Sequence, residues 1–413
     1  MMTTRLIPVL FLLIAVPAAA QIGAPDMGGA VGSMLDRAGN MLDRLVPLDT
    51  VTAPVRSVGD MASDRLNRLH DFLHLHRESV EEDERGELAR RGVVLMLDGD
   101  AAALKKVWAL GFTTRGAEDF GNLGLSATEL TVPHDLSLPA ALAQLRMALP
   151  GRTFTADQLL FPSGNAAEAA SAPQGRGKAA IHTPVGLIDG GVGAVVPVRA
   201  ARGFAAGAPS ASDHGTAVAS LLRYAGVQAI LSADVYGHDP AGGSALAIVR
   251  ALDWMQGQHV TVVSISLAGP GNPLLARAVT ICQSRGMVIV AAVGNDGPAA
   301  PPAYPASYPS ILAVTGVDGR NRALIEAGRA AHLDYAAPGA DMKAMDVRGR
   351  WRAMRGTSFA APLVAARAAA MRDAGLDGTA LRSALDREAR DLGPNGADAD
   401  YGRGLLCGDC RPR

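Results

Sequence analysis

Near the C-terminal end of the chain lies the run Arg-Gly-Thr-Ser-Phe-Ala-Ala-Pro-Leu-Val-Ala-Ala, Arg355 to Ala366. It constrains the fold because a turn of small residues must feed directly into an Ala-rich helix. That places Ser358 in the first helical turn, where free N–H groups and the helix dipole concentrate positive charge. A hydroxyl held there is poised to attack and to have its product anion stabilised. Gly-Thr-Ser alone also describes an ordinary helix cap, so the meaning of Ser358 depends on partners elsewhere in the chain.

One partner is Asp189 in Pro-Val-Gly-Leu-Ile-Asp-Gly-Gly-Val. An apolar run of this kind reads as a buried parallel strand, and a carboxylate at its C-terminal end lies where open α/β sheets build their sites. The other is His214 in Ser-Asp-His-Gly-Thr-Ala-Val-Ala-Ser-Leu-Leu, a polar start followed by helical apolar spacing. Imidazole is the usual base for a serine hydroxyl, and a carboxylate fixes its tautomer. Singly, Asp189 also fits a turn and His214 a helix start. Together the three stand in the order Asp, His, Ser.

With these motifs the chain resembles the subtilisin-like serine peptidases from Ile181 to Leu406. The segments Ser264 to Pro270, Ala291 to Gly297 and Tyr304 to Pro309 also resemble family counterparts, in the family's order. The resemblance implies a doubly wound, mostly parallel α/β sheet and a serine endopeptidase. Ser358 would be the nucleophile, His214 the proton carrier and Asp189 its orienting carboxylate. Asn295, with the backbone N–H of Ser358, would form the oxyanion hole. Substrate would add as a strand between Gly242, Gly243 and Ser244 on one side and Ser266, Leu267, Ala268 and Gly269 on the other. Ala292, Val293 and Gly294 would wall the primary side-chain pocket, with Ala303 near its floor and Asp296 at its rim. These groups favour uncharged, medium-sized residues before the cut. Many members carry histidines where this chain has Ala217 and Leu363, positions without chemistry. The short run after His214, Ala-Gly-Val-Gln-Ala, offers no cluster of hard oxygen ligands, so no calcium is expected there. No other metal and no cofactor is implied. A catalytically silent peptide-binding partner domain and a serine esterase are the alternatives; the latter lacks its Gly-x-Ser-x-Gly elbow.

The composition of the 413 residues fits an exported enzyme. A formal net charge of −1 and an aromatic content of 4% argue against nucleic acid as partner. Residues 1–20 show Arg5, an apolar stretch from Leu6 to Val16 and Ala18-Ala19-Ala20, the pattern of a cleaved signal peptide. The stretch is too short to favour a membrane span, which predicts a secreted or periplasmic protein without stable membrane insertion. Cys407 and Cys410, in the 407–413 tail, are expected to form a small disulfide because no second pair completes a zinc site. Cys282 reads as a buried thiol.

Before the catalytic segment at 181–406, residues 21–90 read as a helical region with stretches at Val31 to Leu45 and Asp60 to Arg90. His70, His74 and His76 fall close together there, His70 and His74 one helical turn apart, but the run Glu78 to Glu87 that follows reads as an ordinary solvated helix face, which argues against metal binding by the three histidines. Residues 91–162 give a split βαβ pattern of ferredoxin-like type: strands at Gly92 to Leu97, Gly111 to Asp119, Gly124 to Val132 and Thr153 to Phe161, with helices at Ala101 to Leu110 and Leu138 to Leu149. Its position and element order resemble the inhibitory propeptides of the same family. Residues 163–180, in a stretch rich in Ala, Gly, Ser and Pro, read as a flexible linker with a processing site. The expected partners are therefore a protein or peptide substrate and the chain's own pro-region as intramolecular inhibitor. Self-cleavage would leave a catalytic fragment beginning between Ser163 and Ile181. A permanent accessory domain is the competing reading.

Overall fold

The computed structural model describes residues 57–173 and 178–412. The expectations for residues 1–20 and for a helix at Val31 to Leu45 lie outside the described residues. Helix α1 (Val58–Leu75) opens on a capping box, in which Ser57 Oγ accepts the Asp60 N–H and the Asp60 carboxylate accepts the Ser57 N–H.

The acidic run that follows is not helical. Strand β1 (Val80–Glu82) turns back antiparallel onto the start of β2 (Leu88–Leu97). The Asp83 carboxylate closes this turn by accepting the N–H groups of Arg85 (2.8 Å) and Glu87 (3.0 Å). A short side chain that bonds its own downstream backbone prevails over the helical preference of the glutamates.

The next elements are α2 (Ala101–Ala109), β3 (Thr113–Phe120), β4 (Leu125–Thr131), α3 (Leu138–Ala148) and β5 (Phe154–Gln158). Asp100 and Ser137 cap the two helices. The antiparallel strands lie in the order β3-β4-β2-β5, with β1 beside the beginning of β2. This is the ferredoxin-like arrangement. The chain then continues through β6 (Phe161–Pro162) and β7 (Asn165–Ala169).

The second unit runs β8 (Val185–Asp189), β9 (Ala200–Gly203), α4 (Asp213–Tyr224), β10 (Ile230–Asp234), α5 (Ala245–Gly257), β11 (Val262–Ile265), β12 (Leu267–Ala268), α6 (Pro273–Ser284), β13 (Val288–Ala292), β14 (Leu312–Val317), β15 (Tyr335–Pro338), β16 (Met342–Met345), β17 (Trp351–Arg355), α7 (Ala361–Asp373) and α8 (Gly378–Glu388). Its main sheet has the order β15-β14-β13-β11-β8-β10-β9, with every neighbouring pair parallel. One face packs on α4, α7 and α8, and the other on α5 and α6.

Strand β2 reads as a continuous apolar run because it is buried on both faces. Val94 and Met96 pack with Val107, Leu142 and Leu145 of α2 and α3. Val93, Leu95 and Leu97 point the other way, into one core with Leu252, Met255, Leu275 and Val279 of α5 and α6. The N-terminal sheet is thereby fused to the back of the helices beside the site. Polar contacts cross this seam: Arg250 of α5 pairs with Glu118 and, at 2.8 Å, with Glu129, while Asp157 Oδ1 accepts the N–H of Leu246 at 2.9 Å.

The segment expected to be a flexible linker contains β7, which pairs antiparallel with β17 to complete a three-stranded sheet with β16. The physical reason is an edge: β17 is bonded to β16 on one side only, and a neighbouring chain satisfies its other row of backbone groups. Cys407 and Cys410 are joined in a disulfide. Cys282 is buried in the α6 core, and burial pushes its thiol up to about 12. No helix among the described residues is long and apolar enough to cross a membrane.

Candidate active site

The candidate residues converge at the C-terminal ends of the central strands. Asp189 is the last residue of β8, His214 lies in the first turn of α4, Asn295 follows β13, and Ser358 sits in a single 3₁₀ turn, Thr357–Phe359, that leads into α7. The chain crosses from β10 on one side of β8 to β11 on the other, so this is the crevice where the connections reverse direction.

Asp189 is fully buried and His214 is 4% exposed. His214 Nδ1 lies 2.8 Å from Asp189 Oδ1, which also accepts the Gly190 N–H at 2.7 Å. The opposite ring nitrogen, Nε2, is buried with no hydrogen-bond partner. The Ser358 hydroxyl donates to the carbonyl of Ser266 at 2.9 Å and accepts the N–H of Ser163 at 2.8 Å. Asp189 and His214 are thus engaged, whereas the serine hydroxyl is turned toward the chain that fills the groove.

That chain is the protein's own residues 159–169. Leu159 bridges to Ser244, the Leu160 N–H donates to the Gly243 carbonyl at 2.9 Å, and β6 pairs antiparallel with β12 through Phe161↔Ala268 and Pro162↔Leu267. At the centre, the Ser163 carbonyl accepts from Asn295 Nδ2 at 2.6 Å and from the Ser358 N–H at 2.9 Å. Asn295 is aimed by its own oxygen, which accepts the Thr357 N–H at 3.0 Å. Gly356, with φ +143°, makes this approach possible, since a Cβ there would fall 2.6 Å from Asn295 Nδ2 and 2.7 Å from the Ser163 oxygen. Beyond Ser163, Asn165 and Ala166 register with Arg355 and Met354 of β17.

Both proposed edges, Gly242 to Ser244 and Ser266 to Gly269, therefore flank a bound strand. Around the primary pocket, Ala268 and Ala303 converge on Gly294. Ala292 and Val293 direct their side chains into the two opposite cores, as alternation along a strand requires. Ala217 and Leu363 are buried core residues. Several contributors were not visible in the sequence. Tyr236 donates its hydroxyl to the Leu160 carbonyl at 2.6 Å, and burial holds that phenol well above its ordinary pKa, so it remains a donor. Its place two residues past Asp234, the register partner of Asp189 at the end of β10, was the available signal. Phe359 packs its ring 5.5 Å from that of His214, and β17 supplies the edge that pairs with the chain beyond Ser163.

An α/β sheet that gathers an Asp–His pair, a serine and an asparagine around one carbonyl has the parts of a serine hydrolase. A family model described as the subtilase family matches residues 201–404. The chain is 30% identical over 269 residues to subtilisin Savinase of Lederbergia lenta, covering 61% of this chain and 98% of that protein. It is also 30% identical over 267 residues to subtilisin E of Bacillus subtilis (strain 168), covering 59% and 69%. Among solved structures, fervidolysin from Fervidobacterium pennivorans, a keratinolytic enzyme related to subtilisin, superposes with a TM-score of 0.64 at 17% identity. That match spans 80% of this chain and 62% of the other. The chain belongs to the subtilase family and is a serine-type endopeptidase.

Proposed function

We propose that this endopeptidase is made as a proenzyme and that its first substrate is its own Ser163–Gly164 bond. The observation that carries this reading is the Ser163 carbonyl between Asn295 Nδ2 and the Ser358 N–H, the geometry of donors preorganised for an oxyanion.

In this mechanism the Ser358 hydroxyl leaves the Ser266 carbonyl and rotates to the vacant Nε2 of His214, which takes its proton as Oγ attacks the Ser163 carbonyl carbon. Asp189 steadies the imidazolium. Asn295 and the Ser358 N–H hold the oxyanion. Collapse breaks the C–N bond, His214 protonates the departing Gly164 amine, and Ser163 remains as an ester on Ser358. Water repeats the cycle, leaving a carboxylate at Ser163. An ordinary protein substrate would follow the same course once the N-terminal unit had left.

The seated segment also indicates a preference. A Cβ at residue 164 would fall 2.7 Å from the buried ring of Phe359 and 3.2 Å from Ser358 Cβ, so only glycine fits after the cut without movement. Ser163, small and uncharged, occupies the position before it. Export is supported by the sequence of residues 1–20 alone. The N-terminal unit would act as inhibitor, because the same contacts that present its bond keep other chains out.

The test is to express wild type and Ser358→Ala without residues 1–20 and to follow intact masses. Wild type should yield a fragment beginning at Gly164, at a rate independent of protein concentration because the attack is intramolecular. Ser358→Ala should stay whole. A wild type that stays whole yet hydrolyses peptides would make the N-terminal unit an accessory domain, and one that is cut but hydrolyses nothing further would favour a silent partner domain.

A further inference from the structure

Helix α1 lies outside the ferredoxin-like unit, yet it reaches the rim of the groove. Met61, buried to 7% exposure, packs over Gly297, in the space a side chain there would fill. One turn on, Arg65 Nε lies 3.2 Å from Asp296 Oδ2, and Arg68 pairs with the other oxygen of the same carboxylate. Further along, Phe72 meets Phe161 edge-on with centroids 5.1 Å apart, and Leu69, Phe72 and Leu73 pack with Leu88, Leu159 and Ala241. Met61, Arg65, Arg68 and Phe72 recur at helical spacing on one face, and all line the cleft that also holds Phe161 to Gly164 and Asn295. Leu66 is 62% exposed and stands off this contact.

We infer that the surface formed by Asp296, Gly297 and Ala241 is a docking site for the amphipathic helix α1, which acts as a second inhibitory element that outlasts the first cut. None of these contacts depends on an intact Ser163–Gly164 bond. Each joins the helix either to the catalytic unit or to the chain before Ser163, so cleavage leaves all of them in place. The severed N-terminal fragment then holds by two linked attachments: its sheet on α5 and α6, and α1 across the groove. Two linked attachments release far more slowly than either alone, because a detached one rebinds at high effective concentration. The arrangement also matches the site: Arg65 and Arg68 occupy Asp296, the rim carboxylate next to Asn295, so a substrate must displace the helix to reach the groove from this side.

The timing rests on the processing proposed above, and the experiment separates the two. Full-length wild type, Arg65→Ala/Arg68→Ala, Phe72→Ala and the control Leu66→Ala are followed by intact mass for the cut and by hydrolysis of a short chromogenic peptide for access to the groove. The cut should proceed at the same rate in all four. Peptide hydrolysis should be about three- to tenfold higher, or appear that much sooner after the cut, in the double variant, as loss of two partly exposed ion pairs allows. Phe72→Ala should shift in the same direction, and Leu66→Ala should match wild type. Equal hydrolysis in wild type, the double variant and Phe72→Ala overturns the docking role. Absence of a fragment beginning at Gly164 overturns the processing site instead, and the comparison of hydrolysis rates still decides the role of α1.

Discussion

The chain in the groove is held differently on the two sides of Ser163. Before it, residues 159–162 lie between two edges, bonded to Gly243 and Ser244 on one side and to Leu267 and Ala268 on the other, with Tyr236 fastening the Leu160 carbonyl. After it, residues 165–169 rest on the single edge of β17. The side before Ser163 is also anchored through β5 to a whole folded unit, whereas the side after it is held through β7. Cleavage should therefore leave the N-terminal product bound and let the new Gly164 terminus withdraw. On the proposed processing, inhibition and release would be divided between two halves of one groove.

The strongest way to break this comparison is to remove the chemistry while keeping both halves seated. Ser358→Ala should lower turnover by about a millionfold, the loss reported for the nucleophile of a subtilisin, and should leave the chain whole. Melting should remain close to wild type, and rapid hydrolysis by the purified variant would contradict the assignment. Asn295→Ala removes one of two donors from the Ser163 carbonyl and should cost about a hundredfold to a thousandfold in turnover, again by subtilisin precedent, with KM little changed.

Gly164→Leu probes the side after the cut. Its side chain would meet the buried Phe359 ring, so the first cut should slow about five- to 150-fold, in line with an overpacking cost of about 1–3 kcal/mol. Peptide hydrolysis by the mature fragment supplied separately should be unaffected. An unchanged self-cleavage rate would show that Phe359 yields easily.

A smaller effect concerns pH and the side before the cut. Burial at the seam with α5 raises the carboxyls of Asp157 and Glu129 above their ordinary values, outweighing Arg90 at Asp157 and Arg250 at Glu129. A carboxyl raised in the docked state contributes fully below its solvated pKa, and that contribution is lost as pH rises through the raised value. The severed N-terminal fragment should thus bind more weakly at about pH 7 than at about pH 4.5, and Asp157→Asn should flatten the dependence. Binding that tightens with rising pH would reverse the reading.

Much of the site was legible because its signals are local. Asp189 ends an apolar run, His214 opens a helix and Asn295 follows a strand, so each of these is placed by its immediate neighbours, whereas Ser358, expected in the first turn of α7, sits in a separate 3₁₀ turn just before that helix. The βαββαβ order of residues 88–158 was readable for the same reason, with boundaries displaced by a few residues, although β2 starts at Leu88 and not at Gly92. What the tertiary structure alone decided depends on surfaces that distant segments bring together. The Ser163 carbonyl meets a donor 132 residues away, and the Ser163 N–H meets a hydroxyl 195 residues away, so no local pattern marks Ser163 as the residue that enters the site. Residues 165–169, poor in strand formers, become a strand only because β17 presents an unpaired edge. The turn at Asp83, the position of α1 over Asp296 and the rotation of the Ser358 hydroxyl toward Ser266 follow the same rule. Local sequence sets which backbone a segment prefers and which chemistry it carries, while the partner of an open edge, a free carboxylate or a hydroxyl is decided by what the fold places opposite it.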